Sequence, residues 1–187
     1  WIGLDGTRYL ALGTDRKLYL YSEGKVYDIT PIRETASGLS NPFTTNGTTT
    51  VTVTDASHGA LVGDFVTFDS FSSIDGLDMN QEFEVITVPS SSTYTVTHTS
   101  TASGSTSGGG GTGNAVYQIN TGPTATTYGY GWGTLTWNLS TWNTPRSSSN
   151  VVVAGRNWSL DNFGEDLIAT VLDGGTFIKD ISGAIDA

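Results

Sequence analysis

The sequence predicts an all-β fold, in which propeller-blade-like antiparallel meanders are interrupted by an inserted small β-barrel. Three observations carry this expectation. Charged residues make up only 14% of the 187 residues while glycine occurs 24 times, and Ser and Thr are in evident excess, a mixture that suits strands joined by tight turns. Short alternating stretches recur with turn residues between them. No segment sustains apolar residues at helical spacing with caps and length.

Residues 9 to 32 read as a three-stranded meander of "YLALGT", "KLYLYS" and "KVYDITPI", separated by the turn pairs "DR" and "EG". In the middle strand Leu18 and Leu20 alternate with Tyr19 and Tyr21, so both faces carry apolar bulk. A strand covered on both sides fits a sandwich, a propeller blade or an oligomer contact. From Ala36 the texture changes. "ASGLSNPFTTNG" is loop-like, and "TTTVTVTDASHGALVGDFVTFDSF" then gives a strand, a turn and a strand. "QEFEVITVPSSSTYTVTHTS" adds two more, with Val85, Tyr94 and Val96 expected to point inward. "TASGSTSGGGGTG", residues 101 to 113, has the composition of a flexible linker.

The expected division is therefore residues 1–38 as the first part of a propeller-like body, 39–113 as the inserted barrel with its glycine-rich exit, and 114–187 as the second part of the body. "AVYQIN" (115–120) is expected to return the chain to the parent. In residues 151–181, "DLIATVL" and "TFIKDI" flank "DGG", which marks a second blade-like hairpin. The start at Trp1 rather than Met suggests a section of a longer or processed polypeptide.

The chemistry-bearing residues have plain structural explanations. His58 and His98 are some forty residues apart, and His58 in "DASHGALVGD" reads as a polar ring closing a hairpin. Asp75, Asp78 and Asn80 in "DGLDMN" offer clustered oxygens, but the EF-hand spacing and its distal Glu are absent, so they read as solvated turn residues. Asp161, Glu165 and Asp166 would be a carboxylate pair for glycoside hydrolysis only with a partner across the substrate; Asn162 and Gly164 beside them mark a turn. The glycine run 108–111 lacks the Lys-Ser/Thr of a phosphate loop. Triplets at Asn46, Asn138 and Asn157 match the glycosylation pattern, as a Ser/Thr-rich chain does by chance. No serine sits in a nucleophile elbow. The sequence shows no catalytic site, metal site or cofactor motif.

With 18 acidic against 8 basic residues and a formal net charge of −10, phosphate-based nucleic-acid binding is excluded as a reading. The same charge suits a surface past which nucleic acid slides without sticking. There is no cysteine, hence no disulfide framework or thiolate site. No apolar run approaches a membrane span, so no membrane insertion is expected.

Two stretches, "YLALGTDRKLYLYSEGKVYDITPIR" and "NWSLDNFGEDLIATVLDGGTFIKD", resemble the tail nozzle or hub (tail tubular) structural proteins of short-tailed bacteriophages. The first has the "LGT…LY" hairpin followed by "DITPIR". The second resembles their W-S-x-D-x-x-G-E-x-L segment, carried by Trp158, Ser159, Asp161, Gly164, Glu165 and Leu167. The stretch between resembles β-barrel inserts of phage tail and fibre proteins. The resemblance implies a non-enzymatic virion protein of the tail without cofactor. It implies a homo-oligomeric ring, a hexamer, through which DNA is ejected without specific binding, in contact with other tail proteins such as an adaptor or a fibre. A nozzle protein is usually several times longer.

One stretch remains, "YGYGWGTLTWNLSTW" at 128–142, which holds Tyr128, Tyr130, Trp132, Trp137 and Trp142. Three readings are open: a subunit-interface loop, ordinary core, and a sugar-stacking platform on Trp132, Trp137 and Trp142. The alternating glycines raise the entropy cost of ordering the loop, which favours a loop ordered by a neighbouring subunit. The glycan platform belongs to an alternative function, a receptor- or glycan-binding module of a tail fibre. A polysaccharide depolymerase fragment, the third possibility, lacks its acid pair.

Overall fold

The computed structural model describes residues 1–121, 158–171 and 175–181, and all regular structure among them is β. The chain divides into two compact units, one of Trp1–Ile29 with Thr121–Ala187 and one of Thr30–Asn120.

The first unit opens with a meander of β1 (Tyr9–Gly13), β2 (Leu18–Ser22) and β3 (Lys25–Asp28), antiparallel throughout. The "EG" pair forms its second turn with both residues at positive φ, Glu23 at 48° and Gly24 at 86°, the backbone that a two-residue hairpin with native twist requires.

The second unit contains β4 (Ile32–Ser40), β5 (Phe43–Thr44), β6 (Thr50–Thr54), β7 (Phe65–Asp69), β8 (Glu82–Ser90), β9 (Thr93–Thr97), β10 (Ser107–Gly109) and β11 (Thr112–Gln118). Their order in the sheet is β10-β5-β6-β9-β8-β7-β11-β4. β4 runs into β5 across Asn41 and Pro42, and β10 runs into β11 across Gly110 and Gly111. These two bent segments pair with each other along both halves, β4 with β11 and β5 with β10. The bend itself is held by Asn41 N–H on the Gly111 carbonyl (2.6 Å) and Gly111 N–H on Asn41 Oδ1 (3.1 Å). The circuit of paired segments therefore curls back on itself through this bend, with β10 and β4, the ends of the strand order, each paired on one side.

Alternation fills this barrel. Val51 and Val53, Val66 and Phe68, Phe83 and Val85, Tyr94 and Val96, Ala115 and Tyr117 all point into one core. Phe43, at its centre, meets Phe68 and Phe71 edge-on at 5.0 and 4.8 Å. The inward placement expected for Val85, Tyr94 and Val96 is found, each fully buried.

Two boundaries differ from the sequence reading. Positions 39 and 113 fall inside this unit, because β4 and β11 pair with each other and β11 also with β7. The stretch "AVYQIN" is a barrel strand for most of its length, with Ala115 and Tyr117 in the core. The glycine run is likewise a close-packed corner. A Cβ at Gly110 would collide with the Phe43 ring, and its φ of 98° suits glycine alone. Composition signals a linker wherever glycine is dense; here the glycine is dense because an aromatic ring lies against the backbone.

The first unit resumes with β12 (Trp158–Phe163), β13 (Asp166–Val171) and β14 (Thr176–Lys179), a second antiparallel meander. Leu18, Leu20 and Ile29 from the first meander share one core with Leu167, Ala169 and Ile181 from the second. Tyr9, Ala11, Tyr27, Trp158 and Leu160 pack around it. The two sheets are thus stacked by their inner faces, as in a β-sandwich or between adjacent blades. Among the described residues no helix is long and apolar enough to cross a membrane.

Candidate assembly surface

Within this first unit the two resemblance-bearing segments lock together. Gly13 of "LGT" lies directly beneath the Trp158 ring, where a Cβ would clash. The Trp158 indole donates to the Thr14 carbonyl at 2.7 Å. Glu165 accepts the Leu4 amide on Oε1 at 2.6 Å, and its backbone carbonyl accepts the Trp1 indole at 3.1 Å. Leu167 sits in the shared core. Trp158 and Leu167 therefore fasten the second meander to the first, while Glu165 holds the Trp1 and Leu4 stretch that precedes it.

Stacking by inner faces leaves each meander an outer face. On the first, the register aligns Leu10, Tyr21 and Val26 in one cross-strand row, and Leu12, Tyr19 and Asp28 in the next. Leu10 is 54% exposed, Tyr21 42% and Val26 61%. The sequence leads one to expect a middle strand covered on both sides; Leu18 and Leu20 are buried, but on the other side Tyr19 is only half-buried and Tyr21 exposed. A shallow groove of about 450 Å³ runs at one end of this face, between Thr7, Arg8, Leu10, Tyr21 and Glu23. On the second meander the outer rows are Asp161–Ile168–Ile178 and Ser159–Thr170–Thr176, with Phe163 and Asp166 at the turn. Phe163 and Ile178 are strongly exposed. These outward apolar residues were not singled out as contacts from sequence, although the i, i+2 spacing of Leu10 and Leu12 carries the signal.

The carboxylates at this turn are occupied by their own backbone. Asp161 accepts the Asn162 amide at 2.8 Å, and Asp166 accepts the Ile181 amide at 3.4 Å. In the barrel unit, Asp75 holds Thr45 and Thr106 by their hydroxyls, and Asp78 accepts both the backbone and side-chain amides of Asn80. Asn80 in turn clamps Phe71 through its amide and carbonyl, both at 2.8 Å. The oxygens of "DGLDMN" thus fasten loops. No group of three or more His, Asp or Glu side chains is arranged to hold a metal among the described residues.

Both histidines are buried and bonded alike. His58 Nδ1 accepts the Ala60 amide at 3.0 Å and Nε2 faces the Ser90 carbonyl at 3.3 Å. His98 Nδ1 accepts the Ser100 amide at 2.8 Å and Nε2 faces the Asp78 carbonyl at 3.2 Å. His58 closes its turn onto β8, as its sequence context suggests, and His98 closes its own onto the loop at Asp78. Beside His58, Tyr94 and Tyr117 share a hydroxyl contact of 3.1 Å, and Tyr117 donates to Asp55 at 2.7 Å. Burial pushes both phenols above the ordinary tyrosine range. Asp64 is a further buried anchor that sequence did not reveal. It accepts Arg33 Nε at 2.7 Å and the Leu61 and Asn120 amides at 2.8 and 3.0 Å, which ties both ends of the barrel segment together.

Tyr128, Tyr130, Trp132, Trp137 and Trp142, the interface residues expected from sequence, lie outside the described residues.

No protein-family model and no curated protein matches the chain. Among solved structures, the phage phi92 endosialidase is similar to it with a TM-score of 0.36 at 22% identity, over 60% of this chain and 18% of that one. The matched stretch thus takes in less than a fifth of that protein's length.

Proposed function

We propose that the chain is a structural section of a bacteriophage tail, nozzle-like, in which copies ring the tail axis and line the passage for DNA. One observation carries the proposal. The two segments that resemble nozzle proteins are the two that fasten to each other, through Gly13, Thr14 and Leu20 on one side and Trp158 and Leu167 on the other. The similarity thus falls on one packed body rather than on scattered strands. Among the described residues, Leu10, Tyr21 and Val26 on the outer side of the first meander and Phe163 and Ile178 on that of the second are exposed, as a unit that completes itself by assembly requires.

Its work in this reading is assembly, with no bond made or broken. A net charge of −10 keeps the passage from holding the DNA that crosses it. Tyr128, Tyr130, Trp132, Trp137 and Trp142 supply further subunit contacts, and an adaptor or fibre protein of the tail is the neighbour.

Measuring the mass of the assembled particle and imaging its symmetry tests the reading. A closed ring with a central hole supports it. A trimeric spike that retains glycans points instead to the receptor-binding module of a fibre, and a chain that stays monomeric at high concentration overturns the ring.

A further inference from the structure

We infer that Asn46 is a site of spontaneous covalent modification, at which the carboxamide, activated by the Thr48 hydroxyl, closes on the Gly47 backbone nitrogen and is converted by water to a carboxylate. The inference concerns the barrel unit and stands apart from the proposed ring.

Asparagine is a thermolabile residue, and the residue after it decides how easily the backbone attacks its side chain. A Cβ there hinders the approach, and glycine has none. Of the chain's asparagines, Asn46 alone precedes a glycine. The turn between β5 and β6 keeps the pair available. Asn46 and Gly47 are both exposed, and a φ of 74° suits position 47 to glycine. Among the described residues, neither the Gly47 amide nor the Asn46 side-chain amide has an acceptor.

A further contact acts on the electrophile. Thr48 Oγ1 donates to Asn46 Oδ1 at 2.6 Å. When the Gly47 nitrogen adds to Asn46 Cγ, negative charge gathers on that Oδ1, and a donor already aimed at it lowers the barrier. The new N–Cγ bond closes a succinimide ring and the Cγ–Nδ2 bond breaks. The proton lost by the Gly47 nitrogen leaves with ammonia. Water then opens the ring at either carbonyl, which gives aspartate or isoaspartate at position 46. The other described asparagines lack this set. Asn41 precedes Pro42, whose nitrogen carries no proton. Asn80, Asn114, Asn120 and Asn162 all precede residues with a Cβ, and Asn80 is held at both ends of its amide by Phe71 and Asp78.

The product bears on the barrel. On one side of the turn Thr45 is buried, with its amide on the Thr106 carbonyl at 2.9 Å and its hydroxyl on Asp75. On the other, the Thr48 and Thr49 carbonyls accept the Ala102 and His98 amides at 3.0 and 2.8 Å. An isoaspartyl linkage adds a backbone carbon between these fixed points. It loosens the corner where β5 meets β10, so the converted chain should melt at a lower temperature.

The full chain and a free peptide of residues 41–52 are held at mildly alkaline pH, and conversion at each asparagine is followed by peptide mass mapping. Asn46 should convert several-fold faster than any other asparagine, at a rate close to the peptide's. Thr48→Val should slow conversion several-fold in the folded chain and barely change it in the peptide, where no fold holds the hydroxyl on Oδ1. Thr48→Ser should restore the rate. Conversion spread evenly over the asparagines overturns the inference, as does an Asn46 that outlasts the peptide many-fold in folded protein. An equal effect of Thr48→Val in chain and peptide removes the activating donor and overturns it too.

Discussion

The barrel unit and the meander unit solve the same problem, burying apolar strand faces, in different ways. Around the barrel, paired segments return to their start, and Phe43, Val51, Val85, Tyr94 and Tyr117 are fully enclosed. The large apolar residues it exposes are scattered, Leu61 and Val62 in a loop and Ile32 and Ile86 singly on strands. Among the described residues of the meander unit, each sheet covers one face with the other sheet, and on the opposite face of the first Leu10, Tyr21 and Val26 form one exposed row. A closed sheet is complete alone. A stack of open sheets is complete only when something covers its ends. The difference teaches where to look for partners: on the unit that cannot close itself.

That contrast is broken most directly at Phe43. Phe43→Ala removes a ring enclosed by Phe68 and Phe71 and should cost about 3–5 kcal/mol. Hydrogen exchange is the measurement. Amides of residues 30–120 should lose protection while those of β2 and β13 keep theirs. Equal loss in both units would mean that the barrel is not self-sufficient.

Trp158→Ala attacks the other unit. The ring is half-buried and holds the Thr14 carbonyl, so the expected loss is about 2 kcal/mol, less than for a fully enclosed tryptophan. Gly13→Val should act in the same direction, because its side chain meets that ring. Both should lower protection in β1, β2 and β13 only. An unchanged melting curve for the meander unit would remove the fastening role of Trp158.

Tyr117→Phe tests the barrel's polar centre, removing the phenol donor from Asp55 Oδ2 for about 1–2 kcal/mol. Its pH behaviour follows from burial. The folded-state pKa values of Tyr94 and Tyr117 are raised above the ordinary value near 10. As pH rises past that value the unfolded chain releases protons that the folded barrel retains. Stability should therefore be level with respect to these groups below about pH 10 and fall above it. Of eight tyrosines, these two should withhold their phenolate absorbance until the barrel unfolds. Their titration with the rest in still-folded protein would contradict the enclosed core.

How much of this was legible depends on sequence distance. The hairpin of β2 and β3 is written in "KLYLYS-EG-KVYD", because turn and alternation are local. Tyr94 and Val96 likewise declare their face by alternation. Barrel closure is different. Asn41 meets Gly111 across 70 positions, and Arg33 and Asn120 meet at Asp64; nothing in "ASGLSNPF" or in the glycine run announces such partners. Local texture read both as loop and linker. The carboxylates and His58 were legible as turn residues for the opposite reason, since Asp161 with Asn162, Asp78 with Asn80 and His58 with Ala60 all bond within two residues. The outer faces were half legible: their apolar pattern is visible in sequence, but only the stacking shows which side stays open.

The smallest expected effect sharpens the claim that the barrel needs nothing from outside. The loop "DGLDMN" has the oxygens to attract calcium, and a barrel that required an ion there would not be complete alone. Its oxygens are already engaged, however: Asp75 by Thr45 and Thr106, Asp78 by Asn80, and Asn80 by Phe71. Binding an ion through Asp75 and Asp78 would forfeit those bonds and gain no third carboxylate, whereas calcium takes six to eight oxygens. Calcium or a chelator should therefore leave the barrel's melting temperature where it is. Asp78→Ala, at an exposed turn, should cost no more than about 0.5 kcal/mol. Asn80→Ala should cost more, about 1–2 kcal/mol, since it frees both the amide and the carbonyl of Phe71. The order of the two variants is the test. A loop that binds an ion would make Asp78 the costlier residue and its cost dependent on calcium; a loop that pins Phe71 into the barrel makes Asn80 the costlier one at any calcium concentration.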